Sequence, residues 1–97
     1  MTSPASFSCG NLVPAIFKNS GRVTLIGKKS GGGACTVYSA TDADGTGFNI
    51  SGPYRLSVLW NGAYYDIDQG IVPDAYIAKT DTMYNRQLLN EFVNGIK

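Results

Sequence analysis

Residues 6–27 read S-F-S-C-G-N-L-V-P-A-I-F-K-N-S-G-R-V-T-L-I-G and lead directly into the glycine cluster K-K-S-G-G-G-A. Apolar residues recur at helical spacing in the first half, which predicts a short helix over about 9–19. Ser8 stands at the N-cap position of that helix, and Gly21 is typical of a residue just beyond a helix end. A buried strand over 22–26 should follow, so this stretch predicts an α/β fold.

The remainder of the chain alternates predicted strands with turns and ends in a helix. Asn61-Gly62 predicts a two-residue hairpin turn, and Gly52-Pro53 predicts an interruption between strands. Asp81 is expected to cap the terminal helix. The predicted strands lie at about 35–40, 48–51, 54–60 and 63–67. The order of helix, about five strands and helix predicts a mixed β-sheet with a helix at each end.

Composition and charge exclude several classes of function. The chain has 97 residues, which is enough for one small domain. Its net charge is +1 with no basic run beyond Lys28-Lys29, which argues against a nucleic-acid partner. No apolar run approaches the roughly 20 residues that span a bilayer, so this segment should not insert into a membrane. Two cysteines and no histidine form no metal-ligand set, and we expect no cofactor.

Ser8 is the candidate for chemistry. The unpaired N–H groups at a helix start and the positive end of the helix dipole suit a developing oxyanion. A serine is also an ordinary N-cap residue, so a purely structural role stays open on local grounds. Because the chain has no histidine, a Ser-His pair cannot form within it.

Four blocks, in order along the chain, resemble the nucleophile-bearing half of the tail-specific (carboxy-terminal processing) serine peptidases. A serine in a context of small residues at a helix start is followed by a strand ending in glycine, a glycine-rich loop and a G-[IV]-x-P-D motif. The resemblance covers residues 3–93. The matching blocks are S-F-S-C-G at 6–10, G-R-V-T-L-I-G at 21–27, S-G-G-G at 30–33 and G-I-V-P-D at 70–74.

The resemblance implies a role for each matched residue. Ser8 falls on the nucleophile, the backbone N–H of Cys9 supplies one oxyanion donor, and Gly31, Gly32 and Gly33 fall beside the substrate. It also implies a ClpP/crotonase-like ββα core of which residues 1–97 form a single partial domain. The implied partners are a polypeptide substrate and the N-terminal half of the same domain. An exported or membrane-tethered full-length protein is implied as well.

One departure from the family concerns the general base. Well-known members use a lysine in the glycine loop, and here Gly33 occupies that position, while Lys28 and Lys29 are offset from it. The base should then come from an N-terminal segment, because an unassisted hydroxyl is a poor nucleophile. The alternative is a degenerate, non-catalytic module that binds peptide or self-associates, and an unpaired strand edge near Met1 would favour a homodimer.

Cys9 and Cys35 both fall near the implied catalytic pocket. A disulfide between them would suit an exported protein. Two small buried thiols are the other interpretation.

Overall fold

Helix α1 (Cys9–Lys18) is central to the fold in the computed structural model, which describes residues 1–96. Its inner face buries Asn11 and Ala15 almost completely. Lys97, the last residue of the predicted domain, lies outside the described residues. The helix confirms the one predicted over about 9–19.

Within residues 1–96, the strands form three separate two-stranded ladders rather than one mixed sheet. The general α/β class is confirmed, with short strands and three helices, but the prediction of a single sheet is wrong. The ladders are β1 (Ile26–Gly27) with β6 (Ala75–Tyr76) in parallel, and β2 (Cys35–Thr41) with β3 (Gly47–Arg55) and β4 (Ser57–Trp60) with β5 (Ala63–Asp66) antiparallel. Strands β3 and β4, although only Leu56 separates them, belong to different ladders.

Strand β1 is shorter than the strand predicted over 22–26. Leu25 is buried, but Val23 is 41% exposed and lies outside any strand. A parallel bridge between Thr2 and Gly27 adds a third line of backbone beside β1 and β6. This small parallel region holds the start of the chain against the segment that precedes the glycine cluster.

The hairpins show one correct and one wrong turn prediction. Asn61 and Gly62 have φ of 51° and 79°, the pair of positive values that a tight hairpin turn requires. Gly52-Pro53 does not interrupt the chain, because β3 runs through it as far as Arg55. The pairing register shifts between Cys35 and Val37, so the proline lies at a bulge, where it withholds no ladder hydrogen bond.

The C-terminal part contains two helices instead of the single predicted helix. Helices α2 (Thr80–Tyr84) and α3 (Arg86–Gly95) are separated at Asn85. The cap of α3 is Asn85, whose side chain accepts hydrogen bonds from the N–H groups of Gln87 and Leu88 at 3.0 and 3.1 Å. The prediction of Asp81 as the cap of the long helix is therefore wrong.

The core joins α1 to the segment after β5, where a 3₁₀ turn spans Ile67–Gln69. Trp60 lies edge-on to Tyr65 with ring centroids 5.9 Å apart, and the Lys18 ammonium lies 4.6 Å from the centre of the Trp60 ring. The end of α1 is thereby fixed to the second hairpin. Within residues 1–96, no helix has the length and apolar character to cross a membrane. The buried apolar cluster comprises Ala15, Leu25, Ala34, Ile67 and Ile71.

Candidate functional site

Ser8 occupies a sharp turn between an extended segment and helix α1. Phe7 forms a parallel bridge with Gly32, and the Ser8 N–H donates to the Gly32 carbonyl at 2.9 Å. The helix begins at the next residue. Ser8 has φ 57° and ψ −117°, a sparsely populated conformation for a residue with a side chain. A strained turn of this kind, between a strand and a helix, is also how hydrolases present a nucleophilic serine to substrate.

The hydroxyl of Ser8 is exposed, and its oxygen does not cap the helix. Among the described residues, no N–H of the first helical turn donates to that side chain. The Ser8 carbonyl instead accepts from the N–H groups of Asn11 and Leu12, both at 2.9 Å. Ser8 thus stands at the predicted N-cap position without performing the usual side-chain capping.

The Cys9 N–H is available beside this hydroxyl. Of the backbone hydrogen bonds found in residues 1–96, none uses it as a donor. It lies at the helix N-terminus, where unpaired N–H groups and the helix dipole favour negative charge. An oxygen anion formed near Ser8 would find a donor there.

Ser6 and Gly10, the two small residues of the S-x-S-x-G pattern that flank Ser8, lie close to each other. A Cβ atom added at Gly10 would lie 3.7 Å from the Cβ of Ser6, so these two positions face each other across the turn. This distance is an ordinary van der Waals contact, so an alanine would fit at position 10.

The glycine cluster packs tightly beside the turn. The Gly31 N–H donates to the Ser6 carbonyl at 2.9 Å. A Cβ atom at Gly32, where φ is 83°, would overlap the carbonyl of Asp68. The segment is a fixed wall rather than a flexible turn.

Asp68 occupies the anion-binding position that the glycine cluster offers. Its Oδ1 accepts hydrogen bonds from the N–H groups of Gly33 and Ala34 at 3.1 and 2.9 Å. Successive backbone N–H groups of this kind form an anion-binding concavity, and here an internal carboxylate fills it. Sequence reasoning did not identify Asp68, because it lies far along the chain and in no recognisable motif.

A buried polar network connects helix α1 to the loops around it. The Asn11 side chain is fully buried and donates to the Ile67 carbonyl at 2.7 Å. The Ser30 hydroxyl donates to Asn11 Oδ1 and accepts from the Ile71 N–H, both at 2.6 Å. Because hydrogen bonds within a buried network reinforce one another, it holds the loops in fixed positions against the helix.

The four sequence blocks meet in space through these contacts. The first and third blocks are joined by Ser6 with Gly31, and the third and fourth by Ser30 with Ile71. The second and fourth are joined by Asp74, whose Oδ2 accepts from the N–H of Leu25 at 2.8 Å. The residues that the sequence singled out therefore form one continuous region.

Ser8 opens into a pocket of about 110 Å³. A wider cleft of about 440 Å³ adjoins it and shares Gly33 and Cys35 as walls. No histidine, lysine or carboxylate is among the described residues that line the smaller pocket. Lys28 is directed elsewhere, because its ammonium donates to the Thr80 hydroxyl at 2.9 Å. The pocket is lined by Ser8, Cys9, Leu12, Gly33, Ala34, Cys35 and Leu56.

Arg55 and Asp66 form an ion pair at the edge of the wider cleft, with Arg55 Nη1 2.9 Å from Asp66 Oδ2. The hydrogen bond to Arg55 is the main reason that the pKa of Asp66 lies below its ordinary value. The same hydrogen bond raises the pKa of Arg55, and the charges of Asp66 and Asp68 add to that effect. The cleft thus contains charges of both signs near the pocket of Ser8.

The two cysteines are both free thiols in the structure. Cys9 is exposed and Cys35 is half-buried. Among residues 1–96, no cluster of three or more histidine, cysteine or acidic side chains is arranged to hold a metal ion.

Comparison with known proteins finds a relative in Chlamydia pneumoniae. That protein is 32% identical to the chain over 92 residues, which is 94% of the chain and 15% of the relative. The chain therefore spans less than a sixth of the length of this relative, whose name describes no activity. No protein-family model matches the chain. No solved structure matches it either.

Proposed function

We propose that this chain is the nucleophile-bearing part of the catalytic domain of a serine endopeptidase similar to the tail-specific peptidases. The observation that carries the proposal is the strained turn at Ser8, which leaves an uncapped, exposed hydroxyl in a pocket. The hydrogen bonds that join the four motif blocks into one region support it. The ClpP/crotonase-like ββα core and a location outside the cytoplasm belong to the same proposal.

In this mechanism, Ser8 Oγ attacks the carbonyl carbon of a peptide bond in a polypeptide substrate. The Cys9 N–H donates a hydrogen bond to the oxyanion that forms, which a fixed donor stabilises more in the transition state than in the ground state. The general base that accepts the Ser8 proton comes from a segment outside residues 1–97. The cleft that includes Gly31 and Gly33 receives the substrate.

The partner of this chain is the remaining N-terminal part of the same catalytic domain. A groove of about 590 Å³, lined mostly by apolar side chains, runs along α1 beside Cys9, and Val13 and Phe17 on its walls are about half exposed. Most of the Chlamydia relative lies outside the aligned region. In a chain of that length, residues outside the aligned region could pack against such a groove. Apolar surface of this kind gains stability when it is removed from water.

A chemical-rescue experiment tests the role of Ser8. A fluorophosphonate probe is added to the 97-residue chain with increasing imidazole, which serves as a small diffusible base. We expect labelling to be slow alone and to rise at least about tenfold with imidazole, because base assistance is typically worth 10²–10⁴-fold. Peptide mapping should locate the label on Ser8.

Two variants provide the controls. Ser8→Ala should abolish the imidazole-dependent labelling, and Ser39→Ala, which removes an exposed hydroxyl on the β2–β3 hairpin, should leave it unchanged. Labelling that is independent of imidazole, or equal in Ser8→Ala, would count against a peptidase nucleophile.

The second candidate function is the non-catalytic module that binds peptide or forms a homodimer. The lining of the Ser8 pocket favours it, because the described residues there include no proton acceptor. The same titration separates the two functions, since a degenerate site gains no labelling when a base is supplied.

A further inference from the structure

Two thiols flank Ser8 within a single small pocket. Cys9 and Cys35 are both among the residues lining the pocket of about 110 Å³ that holds the Ser8 hydroxyl. Both sulfur-bearing residues therefore line one pocket, although 26 positions separate them in sequence.

Each thiol can also be reached from solvent by a different route. Cys35 is a wall of the wider cleft of about 440 Å³ as well as of the pocket. Cys9 is exposed and also lines the groove along α1. Partly exposed cysteines are the ones that react, whereas fully buried thiols are inert.

A positive charge lies close to Cys35. Arg55 lines the same wide cleft, and only one of its N–H groups is engaged by Asp66 in the described structure. Arg55 is also the cross-strand partner of Cys35 in the β2–β3 ladder, so the guanidinium and the thiol lie on neighbouring strands.

We propose that Cys9 and Cys35 form a reversible disulfide that closes the pocket of Ser8. The oxidant is a low-molecular-weight disulfide, of which oxidised glutathione is an example. The Cys35 thiolate attacks one sulfur of the oxidant, and the other sulfur leaves as a thiolate that takes up a proton. The Cys9 thiolate then attacks Cys35 Sγ and displaces the second small thiol.

The reaction balances without any other reactant. The two cysteines lose two electrons and two protons, and the small disulfide gains them to become two thiols. A bond between Cys9 and Cys35 draws the two walls of the pocket together, because bridged Cα atoms lie no more than about 7 Å apart. Ser8 precedes Cys9 directly, so its hydroxyl loses the space in which a carbonyl group could approach.

The experiment follows the thiols directly and does not depend on catalysis. The folded 97-residue chain is incubated with excess oxidised glutathione, and intact mass is measured with and without later reduction. We expect the loss of both thiols with a mass lower by two hydrogen atoms, and non-reducing peptide mapping should find Cys9 joined to Cys35. Reduction should restore both thiols.

Single-cysteine variants define the pathway. Cys9→Ser should stop at one glutathione adduct on Cys35, and Cys35→Ser should stop at one adduct on Cys9. Circular dichroism confirms that each variant is folded. The proposal is overturned if the folded wild-type chain keeps both thiols, or accumulates two glutathione adducts in place of the internal bond.

Imidazole-dependent fluorophosphonate labelling then measures the consequence for Ser8. Oxidation should remove labelling in the wild type, and reduction should restore it. If Ser8 labels in neither state while the internal disulfide forms, the proposed peptidase function fails and the thiol chemistry stands. If Ser8 labels equally before and after the bond forms, closure of the pocket is refuted.

Discussion

At the scale of single residues, the backbone of Ser8 carries a conformational cost that a purely structural serine would have no reason to keep. Its φ of 57° and ψ of −117° lie outside the regions that side-chain-bearing residues prefer. Such a residue costs of the order of 1–3 kcal/mol and persists only where its surroundings hold it in place. The strain is therefore measurable by substitution.

Ser8→Gly should raise the free energy of unfolding by about 1 kcal/mol relative to Ser8→Ala, because glycine adopts positive φ without a Cβ clash. The measurement is chemical denaturation of both variants beside the wild type. Ser20→Gly and Ser20→Ala form the matched control, since Ser20 is exposed and does not have the positive φ of Ser8. Equal stability of the two Ser8 variants would contradict the strained turn.

Predictions for single residues were correct where neighbouring residues determine the structure, and they failed where the contact joins residues far apart in sequence. The positions of Ser8 and Cys9 at the start of a helix follow from a few neighbouring residues. Asp68 closes the concavity formed by the N–H groups of Gly33 and Ala34, but this contact joins residues 34 or more positions apart. The D-I-D-Q segment contains no motif that predicts a contact between Asp68 and the glycine cluster.

At the scale of elements, turn chemistry predicted the second hairpin correctly. Asn-Gly imposes two positive φ angles in sequence, and this requirement is independent of the rest of the fold. The bulge at Gly52-Pro53 depends on cross-strand pairing that the local sequence does not specify. The break at Asn85 does have a local signal, because asparagine is a favoured N-cap residue and Asn85 caps α3, but the prediction placed the cap at Asp81 instead.

Gly62→Ala should lower the free energy of unfolding by about 1 kcal/mol, because φ at this position is 79° and an alanine would be strained there. No described atom lies within 4 Å of the added Cβ, so the effect is purely conformational. Gly47→Ala is the control: its Cβ would also meet open space within the described chain, and its φ is not positive. A similar loss in both variants would refute the assignment of this turn.

At the scale of the whole molecule, the chain is less compact than a typical domain of its length. Its radius of gyration is 16.9 Å and its principal extents are 58 × 33 × 18 Å, whereas a compact domain of 100 residues has a radius of gyration of about 13 Å. The β2–β3 hairpin carries exposed Tyr38, Phe48 and Ile50. In sequence, these apolar residues alternate as they do in a half-buried strand, and this pattern predicts that they are covered. Their exposure could therefore not be predicted.

Stability should accordingly be uneven along the chain. We expect the N–H groups of Ser30, Ala34 and Ile71 to exchange with deuterium slowly, because they are hydrogen-bonded within the buried region. Those of the β2–β3 hairpin should exchange much faster, since a two-stranded ladder without further packing is only marginally stable. Hydrogen exchange followed by NMR measures both sets. Uniform protection would show that the hairpin and the core unfold as one unit.

The contact of Lys18 with Trp60 has a practical consequence. Trp60 is the chain's single tryptophan, so all indole fluorescence comes from one known place. Its ring lies under the ammonium of the last residue of the helix that begins beside Ser8. The chain therefore contains an intrinsic optical probe, whose emission can follow in real time any event that displaces this helix.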